Sequence, residues 1–123
     1  MATIMVIDDE ESVRKVIGRR LKQEGHRVIT ARDAAPALVK TDFNTIDLII
    51  LDLMMDTPGD IAIQTIRSRG FQLPILILSG KMRAGDEVRL LELGADKVLK
   101  KPFRLMGLIG VIDQLLASPK EGT

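Results

Sequence analysis

The chain has 123 residues, enough for one domain with a sizeable core and too few for a second catalytic or DNA-binding domain. Its composition, 46% hydrophobic and 28% charged, is typical of a soluble globular protein, and the longest apolar runs, LIILDLMM and ILIL, are far too short to cross a bilayer. With 18 Lys and Arg against 17 Asp and Glu, net charge gives no reason to expect nucleic acid or an anionic membrane as the main partner.

The N-terminal sequence lacks the basic stretch, the apolar stretch and the cleavage site of a secretory signal. The chain also has no cysteine, which excludes disulfides and thiolate metal sites. Both observations predict a cytoplasmic protein.

Short apolar runs alternate along the chain with longer amphipathic stretches, a pattern that indicates strands alternating with helices. The five predicted strands are Thr3–Ile7, Val28–Ala31, Asp47–Leu51, Pro74–Leu78 and Lys97–Lys100. Such alternation predicts an α/β fold, a doubly wound parallel sheet with five flanking helices. In the flavodoxin-like strand order 2-1-3-4-5, ligands bind beyond the carboxyl ends of the strands, where the first and third strands meet.

The helices carry recognisable start and stop signals. Pro36 is tolerated only in a first turn, so the second helix should begin close to Asp33, whereas Gly25, Gly70 and Gly94 should end three helices in left-handed conformations. The predicted core stripe of the first helix comprises Val13, Val16, Ile17 and Leu21. Its other residues are mostly basic, and this basic face is either solvated or a docking surface for an acidic partner.

Polar side chains stand at the carboxyl ends of four predicted strands, and all four ends lie at the same edge of the sheet. Asp8 and Asp9 follow the first strand, Asp52 the third, Ser79 the fourth and Lys101 the fifth. Carboxylates gathered at one place repel each other unless a cation holds them. Because oxygen ligands without Cys or His suit a hard ion, the cluster predicts a Mg²⁺ site.

The same residues are suited to phosphoryl transfer. A carboxylate beside Mg²⁺ can act as a nucleophile toward phosphorus, and the Lys101 ammonium and Ser79 hydroxyl could stabilise charge on the transferred group. Taken singly, each residue also has a structural interpretation: the aspartates as helix caps, Ser79 as a turn residue and Lys101 as a solvated lysine. Their coincidence at one sheet edge favours the functional interpretation.

The segments VIDDEE, DLIILDLMM, ILILSG and GADKVLKKPF together resemble the receiver domain of two-component response regulators. The resemblance runs from Thr3 to Leu116 and implies that Asp52 is the phosphoacceptor. It also implies that Asp9 ligates Mg²⁺ directly, that Asp8 does so mainly through water, and that the Met54 backbone carbonyl completes the protein ligands.

The resemblance further implies that Ser79 is the switch residue and that Lys101 is the site lysine, with a cis bond to Pro102. It also implies that the phosphodonor is a phosphohistidine on a sensor histidine kinase or phosphotransfer protein. His26, the sole histidine, is expected to be a solvated turn residue, so the donor is external. We expect a receiver domain over residues 1–118 and a disordered tail over 119–123. Such a domain is not an enzyme beyond catalysing phosphorylation and dephosphorylation of its own aspartate.

Three positions depart from the common pattern of the family. Val98 replaces the usual aromatic residue or histidine that swings inward on activation, Asp56 replaces a proline and Asp60 replaces a glycine. The two aspartates are either surface residues without a role in the site, or they alter the affinity for the metal or the choice of phosphodonor.

Three other functions compete with the phosphoacceptor. A flavodoxin-like FMN binder is disfavoured because aspartates would repel its phosphate and the chain has no Tyr or Trp to stack on a flavin. A phosphatase of the haloacid dehalogenase type needs an aspartate where this chain has Met54. A phosphorylation-independent adaptor of receiver fold remains as the alternative, because Val98 removes the usual aromatic toggle.

The fifth helix, RLMGLIGVIDQLLA, has an unusually apolar outer face. Its core stripe should comprise Leu105, Leu108, Ile109, Ile112, Leu115 and Leu116. The outer face would then hold Met106, Gly107, Gly110 and Val111, where a solvated helix normally carries several charges. We therefore expect the face formed by the fourth helix, fifth strand and fifth helix to bind a second copy or a target protein, with neither nucleic acid nor membrane contacted directly.

Overall fold

The computed structural model describes residues 1–53 and 58–117, which form one parallel sheet with helices on both faces. The sheet order is β2-β1-β3-β4-β5, as predicted. The strands are β1 (Thr3–Ile7), β2 (Arg27–Ala31), β3 (Leu48–Asp52), β4 (Ile75–Ser79) and β5 (Lys97–Lys100). The helices are α1 (Glu11–Gln23), α2 (Ala34–Lys40), α3 (Gly59–Ser68), α4 (Asp86–Leu93) and α5 (Leu105–Ala117).

The third and fourth strands begin and end one residue later than the apolar runs predict. Asp47 stands before β3 because its carboxylate accepts a hydrogen bond from the Thr3 N–H at 2.7 Å, which fastens the start of β1. At the other end Asp52 continues the ladder of β3 and pairs with Leu78 of β4. Asp52 and Ser79 are therefore the last residues of their strands and are held by the sheet itself.

The core consists of two apolar clusters, one on each face of the sheet. Every residue of β3 and β4 is buried, so both strands contribute to both clusters, as expected for central strands of a parallel sheet. On one face the sheet packs against α2, α3 and α4, and on the other against α1 and α5. This double cover leaves the carboxyl ends of the strands as the place where polar groups meet.

The helix boundaries largely match the sequence signals. Asp33 caps α2 by accepting a hydrogen bond from the Ala35 N–H, and Gly25, Gly70 and Gly94 all have positive φ angles after α1, α3 and α4. The prediction for Val16 was wrong, because this side chain is 52% exposed. Gly18 is buried on α1 instead. A search for large apolar residues at helical spacing does not identify a buried glycine.

A 3-10 helix at Phe43–Thr45 was not predicted from the sequence. Asp42 produces it locally, since its carboxylate accepts from the Asn44 N–H at 3.0 Å and its carbonyl accepts from the Thr45 hydroxyl at 2.7 Å. The turn buries Phe43, whose ring meets Phe71 edge to face with centroids 5.5 Å apart.

The fifth helix confirms most of its predicted core stripe and corrects one residue of its outer face. Leu108, Ile109 and Ile112 are buried. Val111 was expected on the outer face, and this prediction was wrong, because the side chain is half-buried and packs against the core. Met106 is 78% exposed, and a Cβ added at Gly110 would meet no atom within 4 Å. In the part of the chain that the structure describes, no helix is long and apolar enough to span a bilayer.

Candidate functional site

Three polar side chains are buried in the described chain, and all three stand at carboxyl ends of strands. Asp8 directly follows β1 and is fully buried, Asp52 ends β3 and is 4% exposed, and Ser79 ends β4 and is 1% exposed. Burying a charge is costly unless it is paired or bound to a metal. Two buried aspartates at one sheet edge therefore need a nearby cation.

Lys101 supplies one cation. Its Nζ lies 3.3 Å from Asp8 Oδ2, 3.6 Å from Asp52 Oδ1 and 3.8 Å from Glu10 Oε1. Burial alone lowers the pKa of Lys101, but the charges of Asp52, Asp8 and Glu10 and the hydrogen bond to Asp8 outweigh it, so the pKa is raised. The ammonium is therefore firmly charged. The Lys101–Pro102 peptide bond is cis, as expected.

The first acids of the chain form a cluster of three carboxylates. Carboxylate oxygens of Asp8, Asp9 and Glu10 all lie within 4.8 Å of one another. Asp8 is fixed from two sides, because its Oδ1 accepts from the Glu10 N–H at 2.9 Å and its carbonyl accepts from the Arg14 guanidinium at 2.7 Å. Asp9 and Glu10 are exposed. A hard oxygen donor set that faces solvent fits Mg²⁺, which keeps several waters when bound.

The predicted ligand set is only partly brought together. Asp52 is not a member of the cluster of three acids, although Lys101 bridges it to Asp8. The Met54 carbonyl, predicted as a further ligand, and Asp56 both lie outside the described residues. Glu10 and Arg14 were not chosen from the sequence as site residues. The signal for Glu10 was its place in the acidic run, whereas nothing in the sequence indicates that Arg14 reaches back to Asp8.

The Ser79 hydroxyl is turned away from the acids. It donates to the Lys81 carbonyl at 3.0 Å, while the Ser79 carbonyl accepts from the Lys101 N–H at 2.7 Å. Ser79 would have to exchange its Lys81 partner before it could contact a group on Asp52. The backbone bond meanwhile ties the ends of β4 and β5 together at the site.

Val98 lies in β5 and is only 7% exposed, packed in the cluster beneath α4. It pairs with Ile77 of β4. The position is therefore filled by a small side chain that is part of the core.

Asp60 is engaged by α4. Its carboxylate forms an ion pair with the Arg89 guanidinium at 2.5 Å, and this hydrogen bond lowers the pKa of Asp60. One residue earlier, a Cβ added at Gly59 would lie 2.8 Å from Leu53 Cδ1 and 3.1 Å from its Cα. A side chain at this position would press on the Leu53 backbone, so glycine fits best beside the end of β3.

We expect Asp60→Asn to leave the response to Mg²⁺ unchanged, because Asp60 is paired with Arg89 and lies outside the acid cluster. At pH 7 the loss of stability should stay below about 1 kcal/mol, since Arg89 is largely exposed. The pKa of Asp60 is lowered in the folded state. Its contribution to stability is therefore complete above the pKa of the unfolded chain, and it disappears as pH falls through the pKa of the folded protein. Urea unfolding at several pH values, with and without Mg²⁺, measures both effects. A weakened Mg²⁺ response would place Asp60 in the metal site.

His26 is more enclosed than expected. It is half-buried, and its Nδ1 accepts a hydrogen bond from the Ala2 N–H at 3.2 Å. A ring held in this way, at the opposite end of β1 from the acids, has a structural role.

Comparison with known proteins agrees with this geometry. The profile of the response regulator receiver domain matches residues 4–113. The chain therefore belongs to the response regulator receiver domain family, a class of signalling domains of two-component systems rather than of conventional enzymes.

Individual relatives support the same assignment. The chain is 41% identical over 101 residues to the alkaline phosphatase synthesis transcriptional regulatory protein PhoP of Bacillus subtilis, covering 81% of this chain and 42% of that protein. It is 37% identical over 122 residues to the response regulator MprA of a Mycobacterium species, covering 97% of this chain and 53% of that protein. The chain thus spans about half the length of these curated relatives. The non-phosphorylated HemR receiver domain of Leptospira biflexa superimposes with a TM-score of 0.92 at 27% identity, over 100% of both chains.

Proposed function

We propose that this domain accepts a phosphoryl group on Asp52 from a phosphohistidine of a sensor histidine kinase or phosphotransfer protein, in a Mg²⁺-dependent reaction. The observation that carries the proposal is the pairing of a buried carboxylate at the end of β3 with the Lys101 ammonium at 3.6 Å. We further propose that the reaction takes place in the cytoplasm and that it switches binding to a partner protein.

The residues of the chain divide the work of the transfer. An Asp52 carboxylate oxygen forms the new bond to phosphorus while the bond between phosphorus and the donor imidazole nitrogen breaks. Charge develops on the equatorial oxygens of the transferred group, and Lys101 is held by Asp8 and Glu10 where its ammonium can stabilise one of them. Ser79 can stabilise another after it releases the Lys81 carbonyl.

The acid cluster would hold the metal ion. Asp9 would ligate Mg²⁺ directly and Asp8 mainly through water, with Asp52 and the Met54 carbonyl as further ligands. When bound, the ion supplies positive charge that offsets the excess of carboxylates and polarises a phosphoryl oxygen. Asp8 also positions Lys101, so it contributes with or without the ion.

Treatment with acetyl phosphate tests the proposed function. With Mg²⁺ we expect mass spectrometry to show the addition of one phosphoryl group, and proteolytic mapping to place it on Asp52. An excess of chelator should prevent the reaction, because four carboxylates then face a single Lys101 ammonium. Equal labelling in chelator, or a label that maps to Asp8 or Asp9, would contradict the mechanism.

The second candidate is an adaptor of receiver fold that binds partners without phosphorylation, and it rests on Val98, a small buried side chain where the resemblance implies an aromatic residue or histidine. The acetyl phosphate experiment also separates the two candidates. No label under any metal condition would leave the adaptor as the better account.

We propose that the output surface is the face formed by α4, β5 and α5. Val88 is 58% exposed and Leu91 40% on α4, and Met106 is 78% exposed on α5, so this face has more apolar surface than a solvated pair of helices needs. Gly107 and Gly110 leave the backbone of α5 open, with no atom within 4 Å of an added Cβ. The expected partner is a second copy or a target protein, without direct contact to nucleic acid or membrane.

Gly110→Glu should abolish association through this face without unfolding α5, because the position is exposed and glycine costs about 1 kcal/mol relative to alanine in a helix interior. Light scattering with and without beryllofluoride, a phosphoryl mimic, should show tighter association of the wild-type protein in its presence. Gln64→Glu, on the exposed side of α3, adds the same charge as a control. Unchanged association of the Gly110→Glu variant would rule out this face, provided that its Asp52 is still phosphorylated.

A further inference from the structure

A basic groove runs between α1 and the edge strand β2, away from the acids and from the face of α4, β5 and α5. It encloses about 740 Å³, and its lining includes Arg14, Lys15, Arg19 and Lys22 on α1 and Val28 and Thr30 on β2. One acid, Glu11, also lines it and is already paired with Lys15 at 3.0 Å. The groove is therefore strongly cationic, although the whole chain has a net charge of only +1.

Two of these cations are available to a ligand. Arg14 is engaged with the Asp8 carbonyl and Lys15 with Glu11. Within the described residues, no ion pair involves Arg19 or Lys22. These two exposed side chains lie three positions apart, on the same side of α1 above the groove.

The floor of the groove is the open edge of the sheet. Among the described strands, β2 pairs only with β1. The Arg27 N–H donates to the Ala2 carbonyl, and the Ala31 carbonyl accepts from the Asp8 N–H, so the backbone groups of these residues face β1. Because alternate residues of a strand direct their backbone groups to opposite sides, those of Val28 and Thr30 face outward. The residues that line the groove thus also offer unpaired backbone groups at the sheet edge.

The two sides of this edge differ in chemistry. The side next to α1 carries the cations, whereas on the other side Ile29 is 38% exposed. An extended segment that added to β2 would place alternate side chains on the two sides. Acidic residues would then face Arg19 and Lys22, and apolar residues would face Ile29.

We propose that the groove between α1 and β2 binds an extended acidic segment of a partner protein, which adds to β2 as a sixth strand. The partner is expected to alternate acidic and apolar residues. Nucleic acid fits the site less well, because single strands bind on aromatic platforms and the groove has no aromatic residue. The binding does not require phosphorylation of Asp52, so it stands independently of the proposed phosphoacceptor function.

Fluorescence anisotropy of a labelled peptide tests the proposal on the full chain. The probe is a peptide of about eight residues that alternates Glu and Val, long enough to pair with the whole of β2. Three labelled comparison ligands are a peptide that alternates Lys and Val, the Glu–Val peptide with N-methyl groups on alternate amides, and a short single-stranded DNA. Of these four ligands, we expect only the unmodified Glu–Val peptide to bind saturably. No binding of that peptide, equal binding of the Lys–Val or N-methylated peptide, or tighter binding of the DNA would overturn the proposal.

Variants of the chain test the two parts of the site separately. Thr30→Pro removes one outward N–H that has no backbone partner among the described residues and should abolish binding, whereas Thr30→Val keeps the backbone and should bind as the wild type. Arg19→Gln with Lys22→Gln should weaken binding about tenfold, the sum of two exposed charge contacts. Lys40→Gln with Lys97→Gln removes the same charge from exposed positions elsewhere and should have no effect. Equal losses in both double variants would show a non-specific charge effect and overturn the site.

Discussion

Replacing Asp52 with asparagine should abolish phosphorylation completely while raising the melting temperature of the metal-free protein. Asparagine has nearly the same shape but no carboxylate oxygen to attack phosphorus. The substitution also removes one of four carboxylates at the site and leaves Lys101 paired with Asp8 at 3.3 Å. Acetyl phosphate labelling measures the first effect, and thermal unfolding in chelator measures the second.

Asp9→Asn is the matched comparison, because it removes an exposed acid of the cluster and keeps the acceptor. It should also raise the melting temperature without metal, and it should reduce the stabilisation that Mg²⁺ provides by binding the folded state. Residual label in Asp52→Asn would show that another residue is the acceptor. If Asp9→Asn melts lower without metal and still responds fully to Mg²⁺, the acids are not a metal cluster.

The position of the site residues at the carboxyl ends of the strands could be predicted from the sequence, because it depends on the sheet topology alone. Parallel strands have their carboxyl ends at one edge, so the polar residues at the ends of four strands lie at that edge whatever their separation in sequence. The one-residue shift of β3 and β4 changes little, since Asp52 and Ser79 remain at the carboxyl ends of their strands. The burial of every residue of β3 and β4 likewise follows from the predicted sheet order.

Contacts between side chains of different elements could not be predicted in the same way. The Ser79 hydroxyl has several acceptors within reach of its strand end, and only the packed loop shows that it donates to the Lys81 carbonyl. The sequence left Asp60 open between a surface residue and an influence on metal affinity or donor choice, and only the packed structure shows that Arg89 of α4 engages it. Val16 was expected in the core from helical periodicity, yet the face of α1 that meets the sheet is rotated enough to bury Gly18 and expose Val16.

The network around Arg67 is the largest feature that the sequence did not indicate. Arg67 lies in the last turn of α3, where a basic residue is usually a favourable partner of the helix dipole. Here its side chain is only 17% exposed, and burial lowers its pKa, partly opposed by Asp96. The guanidinium spans residues up to 29 positions away, a separation at which no local pattern predicts a contact.

Arg67 joins three segments at the amino ends of β4 and β5. Its guanidinium donates to the Gly94 carbonyl at 2.7 and 3.0 Å, to the carbonyls of Phe71 and Leu73 at 2.9 and 2.8 Å, and to the Asp96 carboxylate at 3.0 Å. Asp96 in turn accepts from the Ile75 N–H at 2.8 Å. The side chain also packs against Gly94, where φ is +125° and an added Cβ would lie 2.8 Å from Arg67 Cγ.

Arg67→Met should therefore lower the free energy of unfolding by about 3–5 kcal/mol, because it removes one partner of an ion pair that is mostly shielded from water, together with the hydrogen bonds to three carbonyls. Methionine keeps most of the aliphatic contact but leaves the three carbonyls and the Asp96 carboxylate without these hydrogen bonds. Arg69→Met is the control, because within the described residues its guanidinium makes one hydrogen bond, to the Leu38 carbonyl at 2.8 Å, and its loss should cost about 1 kcal/mol. Urea unfolding measures both losses.

Since Arg67 lies at the end of the sheet opposite Asp52, the fraction of the Arg67→Met variant that stays folded should still be phosphorylated in Mg²⁺. Equal losses for the two variants would show that Arg67 is no more than a surface contact, and loss of labelling in folded Arg67→Met would show that the network extends to the site.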